Sequence, residues 1–359
     1  MSKGTVFVGM SGGVDSSVSA LLLKKQGYTV VGVFIKVWHP DFLACHWEQE
    51  RLDAMRVAAH LEIPFLTCNA EQAYKDNVAQ YFIEEYRNGR TPNPDVMCNT
   101  HIKFGNFFDF ARAHGADHIA TGHYARTENR EGRSALLRGI DTAKDQSYFL
   151  WNISDDAFSH TLFPIGHLEK SHVRRIAQNA HLPTARKDDS QGICFLGHVD
   201  MFSFLSHYID LKEGEVRTEE GVVIGTHKGS ELYTLGQRHG FTIYPNHTHT
   251  TPYFVCSKDI VKNVLTVSHV KTTPVAESSH ILLSHTRWFR GLPVVGMTLM
   301  YQTRYRQTPL QGTVLTCSET EAELVPDEVS EEFPTPGQSC VLYDGAYVVG
   351  GGIIETSIK

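Results

Sequence analysis

The sequence predicts an α/β protein: a doubly wound parallel sheet, followed by a small central β-rich domain and a C-terminal β-barrel. Three observations predict it. Strand and helix patterns alternate over roughly the first 195 residues, the first strand runs into a glycine loop that opens a helix, and beyond Phe195 helical periodicity yields to glycine, β-branched runs and turn pairs. The expected domains are residues 1–197, 198–275 and 276–359.

The elements follow in order. Val6, Phe7 and Val8 form an apolar run ending at Gly9, Val18, Leu21, Leu22 and Lys25 recur at helical spacing up to Gly27, and Val30 to Ile35 is a second apolar run. That order is a βαβ unit with its loop at the carboxyl end of the first strand. Leu52 to Leu61 reads as a helix and Phe65 to Thr67 as a strand. Glu71 to Arg87 reads as a long helix with Tyr74, Val78, Tyr81 and Phe82 inward, and Lys103 to Ala113 as another. "HIATGHY" is a short strand closing on Gly122, and helices at Asp145 to Trp151 and Ser171 to Ala180 complete the domain. The remainder divides into two small β units near "VKTTPVAESSH", with Met297 to Thr303 and Val341 to Val349 as strands of a closing barrel.

Composition narrows the class. Hydrophobic residues at 41% and charged residues at 20% fit a well-packed water-soluble protein, and no run reaches the roughly 20 apolar residues of a membrane span. The N-terminus enters a strand directly, without a signal-peptide pattern, so the cytoplasm is the expected compartment. The net charge of −7 argues against a surface coated for nucleic acid, yet the charge is segregated. Ser278 to Ser318 contains no Asp or Glu and includes Arg287, Arg290, Arg304 and Arg306, whereas "ETEAELVPDEVSEE" follows it. None of the seven cysteines sits at C-x-x-C spacing, which disfavours a zinc ribbon. Cys45 beside His46 is too sparse a pair to suggest metal.

"SGGVDSS" is the chemically informative part of the first loop. Gly12 and Gly13 let backbone approach an anion, Asp15 or Ser16 can cap the helix, and the helix N-terminus offers unpaired N–H groups with partial positive charge. The ligand implied carries phosphate. No lysine lies between Lys3 and Lys24, which excludes a Walker loop, and the glycines do not fit G-x-G-x-x-G. The motif resembles the PP-loop of the ATP pyrophosphatase superfamily, with its adenine nucleotide alpha hydrolase-like fold. That resemblance implies cleavage of ATP between the α and β phosphates and an adenylated substrate.

"NGRTPNPDVMCNTHIKFG" is the second unusual stretch. Its prolines stiffen a loop that presents Cys98 before a helix capped by Asn99 or Thr100, where a helix dipole favours thiolate. The other reading of Cys98 is a packing cysteine, and Cys194, between Ile193 and Phe195, reads alone as a buried strand residue. Together with these two stretches, "ATGHYAR", "KDQSYFL", "DSQGICF", "YTLGQRHG", "TRYRQ" and "GQSCVLYDG" resemble, in order, the tRNA-specific 2-thiouridylase family over nearly the whole chain. The resemblance implies ATP-dependent sulfur insertion at C2 of the wobble uridine of tRNA. By it, Cys98 is the nucleophile, Cys194 carries the incoming sulfur as a persulfide, and Asp95 is the general acid or base, unless it is a plain turn residue. It also implies ATP contacts from Gly9, Met10, Ser11, Gly12, Gly13, Val14, Asp15, Ser16 and Gly122, and from Ile35, where the family usually has methionine. Asn93, Pro94 and Asp95 would meet the target base, and His123, Lys144, Asp145, Gln146, Arg304, Tyr305 and Gln338 the tRNA. Lys144 could equally be a solvated charge and Asp145 a helix cap. Partners are then tRNA and a persulfide donor, and Mg²⁺ accompanies ATP, with no other metal expected. The alternative is another PP-loop adenylating enzyme of the amidotransferase or synthetase type.

Overall fold

The protein, a computed structural model, is described over residues 2–43, 47–130, 133–189, 201–247, 251–269, 280–328 and 334–358. Cys45, His46 and Cys194 lie outside the described residues, as does the interdomain boundary expected near 270–279. The chain divides into two compact units. One comprises Met1–Val78, Pro94–His198 and Tyr343–Gly350, and the other Ala79–Asn93, Val199–Leu342 and Gly351–Lys359.

In the first unit the strands are β1 (Thr5–Gly9), β2 (Thr29–Lys36), β3 (Phe65–Asn69), β4 (His118–Ala120), the β5–β6 hairpin (Ala125–Arg130 and Arg133–Arg138) and β7 (Thr161–Leu162). A sheet of order β3-β2-β1-β4-β7 forms, parallel at every pairing. Its strand order reverses between β1 and β4, so the loops leaving those two strands border the crevice where such sheets take ligands. Helix α1 (Val14–Lys25) buries Val14, Val18, Leu21 and Leu23, and α2 (Trp47–His60) buries Ala54, Val57 and Ala58, against Val6, Val8 and Phe34 of the sheet. Fully burying each such aliphatic side chain contributes about 1.5–3 kcal/mol, so this core fixes where β1 and α1 meet. The β5–β6 hairpin lies in a stretch the sequence left unassigned, because its alternation is broken by "NREGR".

Three helical expectations need correction. The segment read as one helix over Glu71–Arg87 is α-helical at Glu71–Tyr74, π-helical at Lys75–Ala79 and α-helical again at Gln80–Arg87, with Tyr74, Val78 and Phe82 buried and Tyr81 half-buried. The helix expected from Lys103 begins at Pro94, runs through a π-helical Cys98–Asn106 and continues at Phe107–Ala113. Proline suits a first helical position because its missing N–H has no partner there, so Pro94 starts the helix rather than stiffening a loop. Only the 3₁₀ turn Ser147–Phe149 forms where Asp145–Trp151 was expected to be helical.

The second unit holds a sheet of order β10-β9-β8-β12-β11, made of β8 (Gly214–Arg217), β9 (Val223–His227), β10 (Thr242–Ile243), β11 (Phe254–Asp259) and β12 (Val264–Ser268). Val216, Ile224, Tyr233, Val255, Leu265 and Val267 form its core. The C-terminal strands are β13 (His280–Trp288), β14 (Thr298–Gln302), β15 (Leu310–Cys317), β16 (Glu321–Pro326), β17 (Ser339–Asp344) and β18 (Tyr347–Ile358). They follow the order β13-β16-β15-β14-β17-β18, and a β13–β18 pairing closes the barrel. Val341–Val349 is therefore a hairpin rather than one strand, turning at Gly345, whose φ of 57° suits glycine. No helix among the described residues is long and apolar enough to cross a membrane.

Candidate active site

The loop between β1 and α1 is held by its own serines. Ser11 N donates to Ser16 Oγ at 3.3 Å, Ser17 Oγ donates to Gly13 O at 2.6 Å, and Thr184 Oγ1 donates to Ser17 Oγ at 3.0 Å. Gly13 is the N-cap and no side chain caps the helix, which corrects the expectation for Asp15 or Ser16. At Gly12, φ is +73° and a Cβ would lie 2.4 Å from Glu50 O, so only glycine fits. A Cβ at Gly122, just past β4, would lie 2.7 Å from Ser16 N. The end of β4 thus abuts the first turn of α1, where a helix leaves N–H groups without intrahelical partners. Gly9 is under no such constraint, its nearest would-be contacts being Phe107 and Ile35 at 3.5 and 3.6 Å. Met10 is buried with its N–H on Val33 O, Val14 starts α1 and is buried, and half-buried Ile35 lies opposite Cys68.

Beside this loop stands a charge cluster that the sequence did not single out. Lys170, at the start of helix Lys170–Asn179, is only 9% exposed, and its Nζ lies 2.8 Å from both carboxylate oxygens of Asp15 and from Asp189 Oδ1. Tyr124 OH also donates to Asp15 at 2.9 Å, and burial followed by the Asp15 charge pushes that phenol's pKa up. Asp189 further accepts from Lys144 Nζ at 2.7 Å and Arg174 Nη2 at 2.7 Å. Partial burial raises the Asp189 pKa, but hydrogen bonds from Lys144 and Lys170 outweigh it and hold the carboxyl at about 2. Lys187 pairs with Asp53 at 2.8 Å, and Asp53 Cβ is 3.2 Å from where a Gly12 side chain would stand.

Lys144 is therefore ion-paired rather than a bare solvated charge. Asp145 is 8% exposed, and its oxygens accept from Arg138 Nε, Gly139 N and Ser147 N at 2.8, 2.9 and 3.1 Å. Its carboxylate is committed inward, so any part in an RNA contact passes through the loop it holds. Gln146 Oε1 accepts from Tyr124 N at 3.0 Å.

Cys98 differs from expectation in setting. It is 2% exposed and follows the α-helical turn Pro94–Met97, so it stands beyond the first turn, where the dipole acts most strongly. Asn99 and Thr100 do not cap: Asn99 Nδ2 donates to Phe149 O at 3.0 Å and Thr100 Oγ1 to Val96 O at 2.9 Å. Asp95 is half-buried in the first turn of that helix, next to the buried Pro94. Five residues after Cys98, Lys103 Nζ comes within 3.4 Å of His123 Nε2, while His123 Nδ1 lies 2.7 Å from Thr121 Oγ1. Burial, then the Lys103 charge, lowers the His123 pKa well below the usual imidazole value, so the ring is neutral.

In the second unit, Gln338 Nε2 donates to Thr91 O and Pro92 O at 3.0 and 2.9 Å, and Thr91 N donates to Pro336 O. Gln338 thus braces the residues just before the buried Asn93. Arg304 Nη2 donates to Leu235 O at 2.9 Å and Thr335 Oγ1 at 3.1 Å, and Arg306 lies over the half-buried ring of Tyr305. Among the described residues no group of His, Cys, Asp and Glu is arranged to hold a metal ion.

A parallel sheet whose switch point carries a self-braced glycine loop, followed by two β domains, defines a PP-loop type nucleotide-handling protein. The family described as the tRNA methyl transferase HUP domain matches residues 4–198, with a PRC-barrel domain at 202–269 and an aminomethyltransferase beta-barrel domain at 278–354. The chain is 45% identical to the tRNA-specific 2-thiouridylase of Bacillus subtilis, over 99% of this chain and 95% of that one. It is 45% identical to those of Lacticaseibacillus paracasei, over 98% and 94%, and Streptococcus uberis, over 100% and 97%. The chain belongs to the tRNA-specific 2-thiouridylase family.

Proposed function

We propose that the protein is a tRNA-uridine 2-sulfurtransferase that uses ATP to replace the C2 oxygen of the wobble uridine with sulfur. The observation that carries this reading is the 45% identity, over almost the full length of both chains, to relatives named for that reaction. The loop geometry supports its first half. Backbone from Gly12 to Ser16 lines the phosphates, Gly122 gives close approach, and Gly9, Met10 and Ile35 border the adenine. Mg²⁺ travels with the nucleotide and offsets phosphate charge.

A uracil carbonyl oxygen is a poor leaving group, so O2 attacks the α-phosphorus, pyrophosphate departs and O2 becomes part of an AMP leaving group. The terminal sulfur of a persulfide on Cys194 then attacks C2 and AMP leaves. Cys98 thiolate attacks the Cys194 sulfur, the S–S bond breaks toward the base, and 2-thiouridine departs. A Cys98–Cys194 disulfide remains, and an external dithiol supplies the two electrons that reset it. Asp95 acts as general acid or base, and the Asn93-Pro94-Asp95 backbone receives the flipped base. The buried address of Cys98 keeps that thiol away from solvent oxidants until the base arrives. Lys144, Gln146, Arg304 and Tyr305 meet the tRNA, and Gln338 and Asp145 hold the loops that do so. His123, buried and neutral, orients the end of β4 rather than contributing charge.

The test is incubation with ATP, a cysteine desulfurase charged with cysteine as persulfide donor, and unmodified tRNA, followed by digestion and mass analysis. Formation of 2-thiouridine with matching AMP and pyrophosphate is expected. AMP formation without thiolated nucleoside, in the presence of donor, would favour the adenylating-synthetase alternative.

A further inference from the structure

Asp189 has no role in the reaction as derived above, yet among the described residues it holds more cations than either Asp15 or Asp53 beside the loop. Lys144, Lys170 and Arg174 converge on it, and Lys170 is shared with Asp15 of the phosphate loop. Three cations share the oxygens of Asp15 and Asp189, and Lys170 alone spans both, so withdrawing Lys144 from Asp189 leaves an oxygen that Lys170 can take up. The side chains of Lys144 and Lys170 differ in access, at 31% and 11% exposure. Lys144 is the one that an incoming polyanion can reach. A second strut ties the same elements: Asp141 Oδ2 accepts from Lys170 N at 2.9 Å, three residues before Lys144, and Lys144 N donates to Asp141 O. On the far side, Arg174 Nη1 donates to Lys187 O, so the stem leading into Asp189 is fixed.

We propose that Asp189 is a positioning residue that couples Lys144, through Lys170, to Asp15 of the phosphate loop, so that cleavage of ATP answers to the arrival of tRNA. The inference rests on the reading above. In the free protein Lys144 occupies Asp189 Oδ2 and Lys170 is divided between Asp15 and Asp189. An RNA phosphate competes for Lys144. Asp189, left with one cation fewer, then takes a larger share of Lys170 and loosens it from Asp15, releasing the loop from its resting arrangement. Both states are defined by contacts, and the ligand discriminates between them because only one leaves Lys144 available.

The experiment measures pyrophosphate release from ATP by the full chain, with and without saturating unmodified tRNA. Nucleotide affinity is followed by equilibrium dialysis and 2-thiouridine by mass in parallel. Wild type is expected to be stimulated by tRNA. Asp189→Asn, in which Lys170 keeps only Asp15, is expected to lose most of that stimulation, the rate with tRNA falling about tenfold while the rate without tRNA and the nucleotide affinity stay within about twofold. Asp189→Glu should recover part of the stimulation. If Asp189→Asn does not fold, Lys144→Gln carries the test: with Asp189 one cation short, its pyrophosphate release without tRNA should rise toward the stimulated wild-type rate, and an unchanged rate without tRNA overturns the coupling. Undiminished stimulation in the folded Asp189→Asn protein, or loss of nucleotide affinity alongside stimulation, overturns the coupling. Wild type that makes 2-thiouridine without tRNA-stimulated pyrophosphate release also overturns it. Stimulated release with no 2-thiouridine would instead strike the sulfurtransfer reading and leave the Asp189 comparison standing.

Discussion

Around the Gly9–Ser16 loop the charged side chains are paired with one another, whereas the helical run that carries Cys98 buries mostly apolar residues. Asp15, Asp53 and Asp189 are matched by Lys170, Lys187, Lys144 and Arg174. Cys98 instead sits with Val96, Met97, Ile102 and Phe104, all buried, and its polar neighbours Asn99 and Thr100 bond to backbone carbonyls. The difference fits what the proposed function asks of each place. On the proposed function a polyanion comes and goes here and needs a cation that can change partners; the partly exposed Lys144–Asp189 pair is of a kind worth only about 0–1 kcal/mol, so its exchange is cheap. On the proposed mechanism the Cys98 thiol must meet one sulfur atom, which calls for a fixed address, and close packing supplies it.

The comparison can be broken from the packed side first. Phe104→Ala removes a 2%-exposed ring from the Cys98 run and should lower unfolding free energy by about 3–5 kcal/mol, measured by denaturant titration. A loss under about 1 kcal/mol would mean that packing does not fix this helix. On the loop side, Gly12→Val should cut pyrophosphate release by about a hundredfold or more, since a 1 Å displacement of a reacting group costs that much. The substituent meets Glu50 O at a φ of +73°, so the loop must move. Equal release by this variant would remove the phosphate loop from the reaction.

A pH titration separates the two regions more finely. His123 in the folded chain has its pKa well below the ordinary 6.5, so below about pH 6.5 the unfolded chain binds a proton that the folded chain does not. The stabilisation is complete above that pH and is lost as pH falls, with a slope of up to about 1.4 kcal/mol per pH unit. His123→Asn should flatten the slope between pH 6 and about 4, with the remainder due to His101 and His227, whose pKa values burial also lowers. Asp189 acts at lower pH. Its carboxyl is held at about 2 against an ordinary 3.8, so its contribution is present above 3.8 and disappears as pH falls toward 2. A slope unchanged by His123→Asn would show that the ring is solvated. The smallest effect expected is at the barrel: Arg304→Ala should weaken tRNA binding several-fold and lower the slope of log affinity against log salt by about 1. An unchanged slope would leave Arg304 as a strut on Leu235 and Thr335 alone.

Elements governed by local pattern were legible in the sequence. β1, α1, β2 and the loop between them follow from an apolar run, a glycine pair and helical spacing, and the fold class followed from their repetition. What the sequence hid is set by partners far along the chain. Lys170 carries no local signal, and its importance appears only when Asp15 and Asp189, 155 and 19 positions away, are brought to it. Asp145 reads as a helix cap but closes a loop through Arg138 and Gly139. Pro94 fits a stiff loop and a first helical turn equally well, and only tertiary packing chooses between them. The one visible hint for Asp189 was its place just ahead of "SQGIC", inside a motif already singled out for its cysteine.

On the proposed mechanism one thiol delivers sulfur and a second removes the carrier. A single turnover without external reductant, with Cys194 loaded as persulfide and ATP and unmodified tRNA present, followed by peptide mapping under acid quench, tests it most directly. One 2-thiouridine per active chain and a Cys98–Cys194 disulfide are expected in the wild type. Cys98→Ser is expected to hold persulfide on Cys194 still, yet to yield no 2-thiouridine. Full product from Cys98→Ser, or a disulfide joining Cys98 to a different cysteine, would contradict that mechanism.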